Sequence, residues 1–306
     1  MRVKKFFCIT ILCAFSGLSF GQEAIPYLFN KGLESLKRND FKSGEQFFSK
    51  TLEKDSNYAE AYYNRGLCRM NRENYTDALQ DFEKSLNKGL ELVQVYNNMG
   101  ICKIRLHQPI HAIEDFNKAI KIDSTVTMTY KNRGAAYFQM NMHKEAIQDF
   151  TRVIKLNPGD HDGYYNRGFV YYKQNNFSEA IKDFNKAIEL NRFNLDAIYN
   201  RGLAKMETGE YQNAIDDFTR LLRFKPEDAS AYLNRGIAKA KLKNFEGAID
   251  DYSAAIEKND TDAQAFFLRG MAFFELQSLT DACYDWEKSV SLGMFNAKAL
   301  LQQYCK

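Results

Sequence analysis

The chain has 306 residues, 45% of them hydrophobic, and a formal charge of +3. Residues 1–21 carry three basic and no acidic side chains, so the rest has 39 of each sign; without a basic excess to displace counterions from phosphates, nucleic acid is disfavoured as a partner. The length alone would suit about two domains.

The first element is an export signal. Met1, Arg2, Lys4 and Lys5 make a basic start, Phe6 to Phe15 an almost unbroken apolar run, and Ser19-Phe20-Gly21 places small residues where a signal peptidase reads. Cleavage is expected between Gly21 and Gln22, the alternative being an uncleaved anchor. The run Phe6–Phe20 is short for a membrane span, and neither Cys8 nor Cys13 has the leucine, small, small context of a lipoprotein signal. The mature chain is therefore expected to be periplasmic or secreted, with no membrane insertion and no lipid anchor.

From Asn30 onward one stretch returns every 34 residues. It reads Asn30-Lys31-Gly32, Asn64-Arg65-Gly66, Asn98-Met99-Gly100, Asn132-Arg133-Gly134, Asn166-Arg167-Gly168, Asn200-Arg201-Gly202, Asn234-Arg235-Gly236 and finally Leu268-Arg269-Gly270. A fixed period of this length predicts a stacked array of one supersecondary unit, which overrides the two-domain prior.

His161–Asn194 serves as the type repeat. Tyr164, Arg167, Gly168 and Tyr171 share one helical face, Asn175-Asn176 make a turn, and Ala180, Ile181, Phe184, Ala187 and Ile188 define a second amphipathic helix. Pro109 stands at the expected first position of such a second helix, and Pro158 and Pro226 just past its end. Each glycine lies inside a helix at a cost of roughly 0.5–1 kcal/mol. Close helix–helix approach justifies that cost, with Ala180 expected opposite Gly168 and Phe184 beside them; Gly66, Gly134, Gly202 and Gly236 take the same part. Ala297–Lys306 reads as a final helix over the last apolar face.

These residues resemble the tetratricopeptide repeat (TPR) family, whose pattern runs aromatic, large residue then Gly, Tyr, Ala, Phe and Pro over 34 positions. The resemblance implies an all-α, right-handed superhelical solenoid of antiparallel helix pairs. Its repeats would be 25–58, 59–92, 93–126, 127–160, 161–194, 195–228, 229–262 and 263–296, followed by a capping helix at 297–306. The outer repeats depart from the pattern: Gly44 and Glu45 replace Ala and an apolar residue in the first, and Leu268, Cys283 and Trp286 are atypical in the last.

The resemblance also places the asparagines Asn64, Asn98, Asn132, Asn166, Asn200 and Asn234 on a concave face, where a carboxamide ladder can hold a peptide backbone without reading its sequence. Asparagine is also common there as a local hydrogen-bonding residue. Variable neighbours, among them Tyr63, Lys131, Tyr165, Phe169, Lys173 and Tyr199, are the aromatic and cationic types that anchor interfaces, or else they pack one repeat on the next. The arginines are read as structural. Arg65, Arg133, Arg167, Arg201, Arg235 and Arg269 are each followed sixteen residues later by Asp81, Asp149, Asp183, Asp217, Asp251 and Asp285, a spacing that pairs them on facing helices. Cys68 and Cys102 read as small buried residues; Cys283 and Cys305 lie on elements that should touch and could oxidise.

Catalysis has little support. Pro109 interrupts the His107/His111 pair, and no nucleophile elbow, phosphate-cradling loop or HExxH occurs. No enzyme activity, metal or cofactor is expected. The reading is a scaffold that binds a protein or peptide in a concave groove. The alternatives are a self-assembling envelope spacer, or the substrate-recruiting arm of a separate enzyme.

Overall fold

The computed structural model describes residues 24–305; the expected export signal and its cleavage point lie outside them. All regular structure among the described residues is helical, in two compact units, up to Asn157 and from Pro158.

The first unit holds four helix pairs: α1 (Ala24–Lys37) with α2 (Phe41–Lys54), α3 (Ala59–Asn71) with α4 (Tyr75–Asn87), α5 (Val93–Arg105) with α6 (Pro109–Ile122), and α7 (Thr127–Gln139) with α8 (His143–Leu156). The second holds four more: α9 (His161–Lys173) with α10 (Phe177–Leu190), α11 (Leu195–Glu207) with α12 (Tyr211–Leu222), α13 (Ala229–Lys241) with α14 (Phe245–Lys258), and α15 (Ala263–Glu275) with α16 (Leu279–Ser291). A 3-10 turn, Phe295–Ala297, then leads into α17 (Lys298–Tyr304). Within each compact unit every helix packs on the helix before it and the helix after it.

The turn inside each pair follows from one backbone geometry. Asn175 adopts φ +58°, and the Asn176 N–H reaches back to the Tyr171 carbonyl at 2.9 Å, the six-to-one bond of a Schellman motif. Gly209 takes the same place after α11 at φ +79°, where glycine is unstrained. In the second compact unit the first helix of each pair is capped by a short polar acceptor: Asp160, Asn194, Asp228 and Asp262 accept from Gly163, Ala197, Ala231 and Ala265.

The interhelical glycines are covered by the aromatic ring of the second helix. A Cβ on Gly100 would stand 2.5 Å from the Phe116 ring, and one on Gly66 2.7 Å from Phe82. At Gly168 the nearest atoms are Asp183 Cβ at 3.0 Å and the Phe184 ring at 3.1 Å, so ring and aspartate, ahead of Ala180, define that approach. The difference makes a prediction. Gly100→Ala should lose about 1–3 kcal/mol to overpacking, more than the roughly 0.5–1 kcal/mol gained in helix propensity. Gly168→Ala should be close to neutral. Equal shifts of the urea midpoint in both variants would contradict this packing.

The departures of the first repeat compensate one another. Gly44 leaves room for the Cys68 sulfur, 2.8 Å from where a Cβ would stand, and Glu45 accepts from Arg69 at 2.9 Å and also binds Arg72. Cys68 and Cys102 are both buried. Burial pushes the Cys102 thiol from its ordinary value near 9 up to about 12, and the Tyr165 hydroxyl likewise to about 12. Both groups hold their protons more tightly in the fold than in the unfolded chain. Stability should therefore be level below about pH 9 and fall between about pH 9 and pH 12. Cys102→Ala, the residue found at Ala136 and Ala204 in the same register, should reduce that fall; a thermal midpoint with unchanged alkaline slope would refute the assignment.

Candidate partner-binding surface

The Arg–Asp ladder is formed throughout. Arg167 donates from Nε and Nη2 to the two oxygens of Asp183, both at 2.8 Å, and Arg65, Arg133, Arg201, Arg235 and Arg269 grip Asp81, Asp149, Asp217, Asp251 and Asp285 in the same two-pronged way. Burial pushes the Asp183 carboxyl up from its ordinary range against the pull of Arg167. The pairs thus fix geometry more than they add net stability. Where Met99 replaces arginine, Lys103 reaches Asp115 at 2.6 Å instead.

Five of the six arginines have a further partner at one fixed spacing but of varying residue type. Arg65 Nη1 donates to Ser49 Oγ at 3.2 Å, Arg201 to Asn185 Oδ1 at 2.7 Å, Arg235 to Thr219 Oγ1 at 3.1 Å and Arg269 to Ser253 Oγ at 3.0 Å. Arg133 does the same to Asn117. These residues lie sixteen positions before the arginine, on the second helix of the preceding repeat. One guanidinium therefore joins three helices, which leaves it no free fork for a ligand.

The asparagines bond sideways, from repeat to repeat. Asn200 Nδ2 donates to the Tyr165 hydroxyl at 3.4 Å and to the Asp196 carbonyl at 2.8 Å, and Asn234 Nδ2 to the Tyr199 hydroxyl at 3.1 Å and the Ser230 carbonyl at 2.8 Å. Asn132 donates to Asn97 at 3.1 Å and Asn98 to Tyr63 at 3.3 Å. The acceptor lies 35 residues earlier each time. At Asn200 and Asn234 both amide protons are spent, and no described residue donates to either Oδ1. These two side chains can offer a partner an acceptor only.

Three of the expected contact residues are corrected. Tyr63, Asn64 and Asn98 are only 3%, 1% and 7% exposed, within the core of the first unit. The Tyr63 ring packs on Phe82 at 5.8 Å and Asn64 donates to the Glu60 carbonyl at 2.7 Å. They hold the fold and show a partner nothing. Lys131 and Asn132 are half-buried on α7.

The remaining seven residues lie in the second unit. On α9, Tyr165 and Phe169 stack with centroids 6.2 Å apart, and the exposed Lys173 ammonium sits 5.3 Å from the Phe169 ring and 5.8 Å from Tyr172. Asn166 is half-buried on the same helix. On α11, which packs on α9, Tyr199 lies edge-on to Phe218 at 5.9 Å beside Asn200; α13, packed on α11, adds Asn234. These first helices present a continuous half-buried face of aromatic rings with carboxamide acceptors set among them.

Tetratricopeptide repeat models match residues 59–87, 93–125, 128–160, 161–194, 199–263 and 244–291. The chain belongs to the tetratricopeptide repeat family, a fold class of protein–protein interaction scaffolds. Among solved structures it is similar to YrrB, described as a TPR protein with an unusual peptide-binding site, at 27% identity and TM-score 0.51 over 59% of this chain and 96% of that one. MamA matches at 25% identity and TM-score 0.52, over 56% of this chain and 94% of its own. The C-terminal part of a TPR protein from Cytophaga hutchinsonii, at 21% identity, shares the fold with TM-score 0.68 over 78% of this chain and 98% of that one. No curated protein matches. Among the described residues there is no group of three metal-ligating side chains, and no helix is long and apolar enough to cross a membrane.

Proposed function

We propose that the mature chain is an exported, non-catalytic scaffold that receives an extended peptide segment of a protein partner on the α9–α11–α13 face. The observation that carries this reading is the state of Asn200 and Asn234. Their amide protons are fixed within the fold, which aims two otherwise unused Oδ1 acceptors, one repeat apart, at whatever lies on that face. Peptide N–H groups can donate to them regardless of sequence, while Tyr165, Phe169 and Lys173 supply side-chain selectivity. The description of YrrB as peptide-binding supports the mode. The basic–apolar start of the sequence supports export, as does the Cys283–Cys305 disulfide, a bond that persists in oxidising compartments.

The test uses residues 22–306 as bait against an envelope extract, with bound proteins identified by mass spectrometry and then titrated directly. Two lost hydrogen bonds of about 0.5–1.5 kcal/mol each predict that Asn200→Ala with Asn234→Ala weakens the partner about 5- to 150-fold. Tyr165→Phe with Tyr199→Phe removes only the hydroxyls beneath the asparagines and should retain most binding. Parental affinity in the asparagine variant would sink the proposal.

A further inference from the structure

Phe193 and Phe224 are large apolar residues that the fold does not use. They lie in the segments after α10 and α12, are 56% and 49% exposed, and meet edge to face at 5.7 Å. The equivalent positions one repeat away hold Gly159 and Glu227 for the first, Leu190 and Lys258 for the second, so the architecture does not require a ring at either. The pair is nevertheless held in place. Phe193 N–H donates to Asn191 Oδ1 at 3.1 Å, Arg192 lies 4.9 Å from the Phe193 ring centroid, and Arg220 Nη2 donates to the Arg192 carbonyl at 2.6 Å.

Charge gathers around these rings. Arg192, Arg220, Arg223 and Lys225 flank them, and none forms an ion pair with a described carboxylate. The nearest glutamates along the chain are engaged elsewhere: Glu189 with Lys186 at 2.6 Å, and Glu227 with Lys258 at 3.1 Å. In a mature chain with equal numbers of acids and bases, three arginines without an ion-paired carboxylate, and Lys225 in a hollow it shares with Asp196 and Asp228, make a local cationic excess beside two preordered aromatic rings.

We infer that this loop edge docks an acidic polypeptide segment bearing one apolar side chain, whose carboxylates meet the arginines and whose apolar group covers the Phe193–Phe224 pair. Arginine beside aromatics is the composition that concentrates binding energy at interfaces, and a surface already held in shape loses little entropy on binding. An anionic lipid surface fits less well. Membrane attachment through an interface needs a broad apolar face inserted below the headgroups, and these two rings cover part of each other. Lys225 lines one hollow with Asp196, Tyr199 and Ser230 of the Asn200–Asn234 face, while Phe193 and Phe224 lie outside that hollow, so the asparagine and phenylalanine variants tell the two readings apart.

The experiment measures fluorescence anisotropy of a short fluorescein-labelled peptide, glutamates flanking a single leucine, against purified residues 22–306 at physiological ionic strength. Saturable binding is expected, with at least a tenfold loss in Arg223→Glu, Lys225→Glu and again in Phe193→Ser, Phe224→Ser. Asn200→Ala, Asn234→Ala should bind the probe as the parent does. All four patch positions are exposed, and matched thermal melts show that the variants are folded. No saturable binding, equal binding of a lysine version of the peptide, or parental affinity in the charge-reversed variant overturns the inference. So does sedimentation with phosphatidylglycerol vesicles, abolished by the same charge reversal, in a protein that ignores the acidic peptide.

Discussion

Asp81→Ala is expected to lower stability by about 3–5 kcal/mol, the range for removing one partner of a buried ion pair. Asp81 is fully buried and accepts three charge-assisted bonds: from Arg65 Nε at 2.9 Å, Arg65 Nη2 at 2.8 Å and Arg69 Nη1 at 2.8 Å. Alanine leaves the Arg65 guanidinium in a largely dry site with Ser49 as its remaining hydrogen-bond partner and the Tyr62 ring 5.5 Å away, and Arg69 with Glu45. The companion variant decides the cause. Asp81→Leu combined with Arg65→Met removes most of the charge along with its counter-charge, and should recover much of the loss, because such pairs add little over apolar packing. The chain holds a partial precedent, since Met99 stands where the other repeats carry arginine or lysine. Hydrogen exchange at α3 and α4 is the proper readout, because an array need not unfold in one step. Equal losses in the single and double variants would mean that cavity formation, and not stranded charge, dominates.

Reduction of Cys283–Cys305 should release α17 and expose the only tryptophan. The bond links α16 to the end of α17 across 22 residues, a loop whose closure is worth about 3 kcal/mol on chain-entropy grounds. Beneath α17, Trp286 is fully buried, with Phe274 at 5.6 Å and Tyr304 at 6.5 Å between ring centroids. Its indole N–H finds no acceptor among the described residues, so packing alone holds it. The expected result with dithiothreitol, or with Cys305→Ser, is red-shifted emission and easier acrylamide quenching, while far-UV helicity stays near its starting value. An unchanged spectrum after full reduction would show that Leu300, Leu301 and Tyr304 hold α17 without the bond.

The helix pairs and the ion-pair ladder were legible because each is written many times over at one period. Arg–Asp pairing at sixteen residues survives any uncertainty about a single copy. The second arm of that ladder had the same spacing, but Ser49, Asn117, Asn185, Thr219 and Ser253 vary in type, and short polar residues on a helix surface usually bond water. The asparagines were the harder case. Whether an amide proton is free depends on the residue 35 positions earlier: tyrosine at 165 and 199 reaches Asn200 and Asn234, while Phe29 has no hydroxyl to offer Asn64. Burial was hidden for a related reason. Tyr63 and Tyr165 hold the same register, yet Tyr63 is buried and Tyr165 half-buried, an outcome set by packing from both neighbouring repeats and not by local pattern.

The three-helix grip of five of these arginines bears on how such a chain changes length. Arg235 finds Asp251 sixteen residues ahead and Thr219 sixteen behind. Excise residues 195–228 and the residue sixteen behind becomes Asn185, the type that already serves Arg201. Duplicate the same segment and each copy meets an acceptable partner at both joins. Gain or loss of one whole period therefore leaves these guanidinium pairings intact, whereas a shift of a few residues breaks the bond of the arginine whose sixteen-residue span it interrupts. The ladder works as a reading frame for the fold, permitting recombination in steps of 34 residues and penalising everything in between.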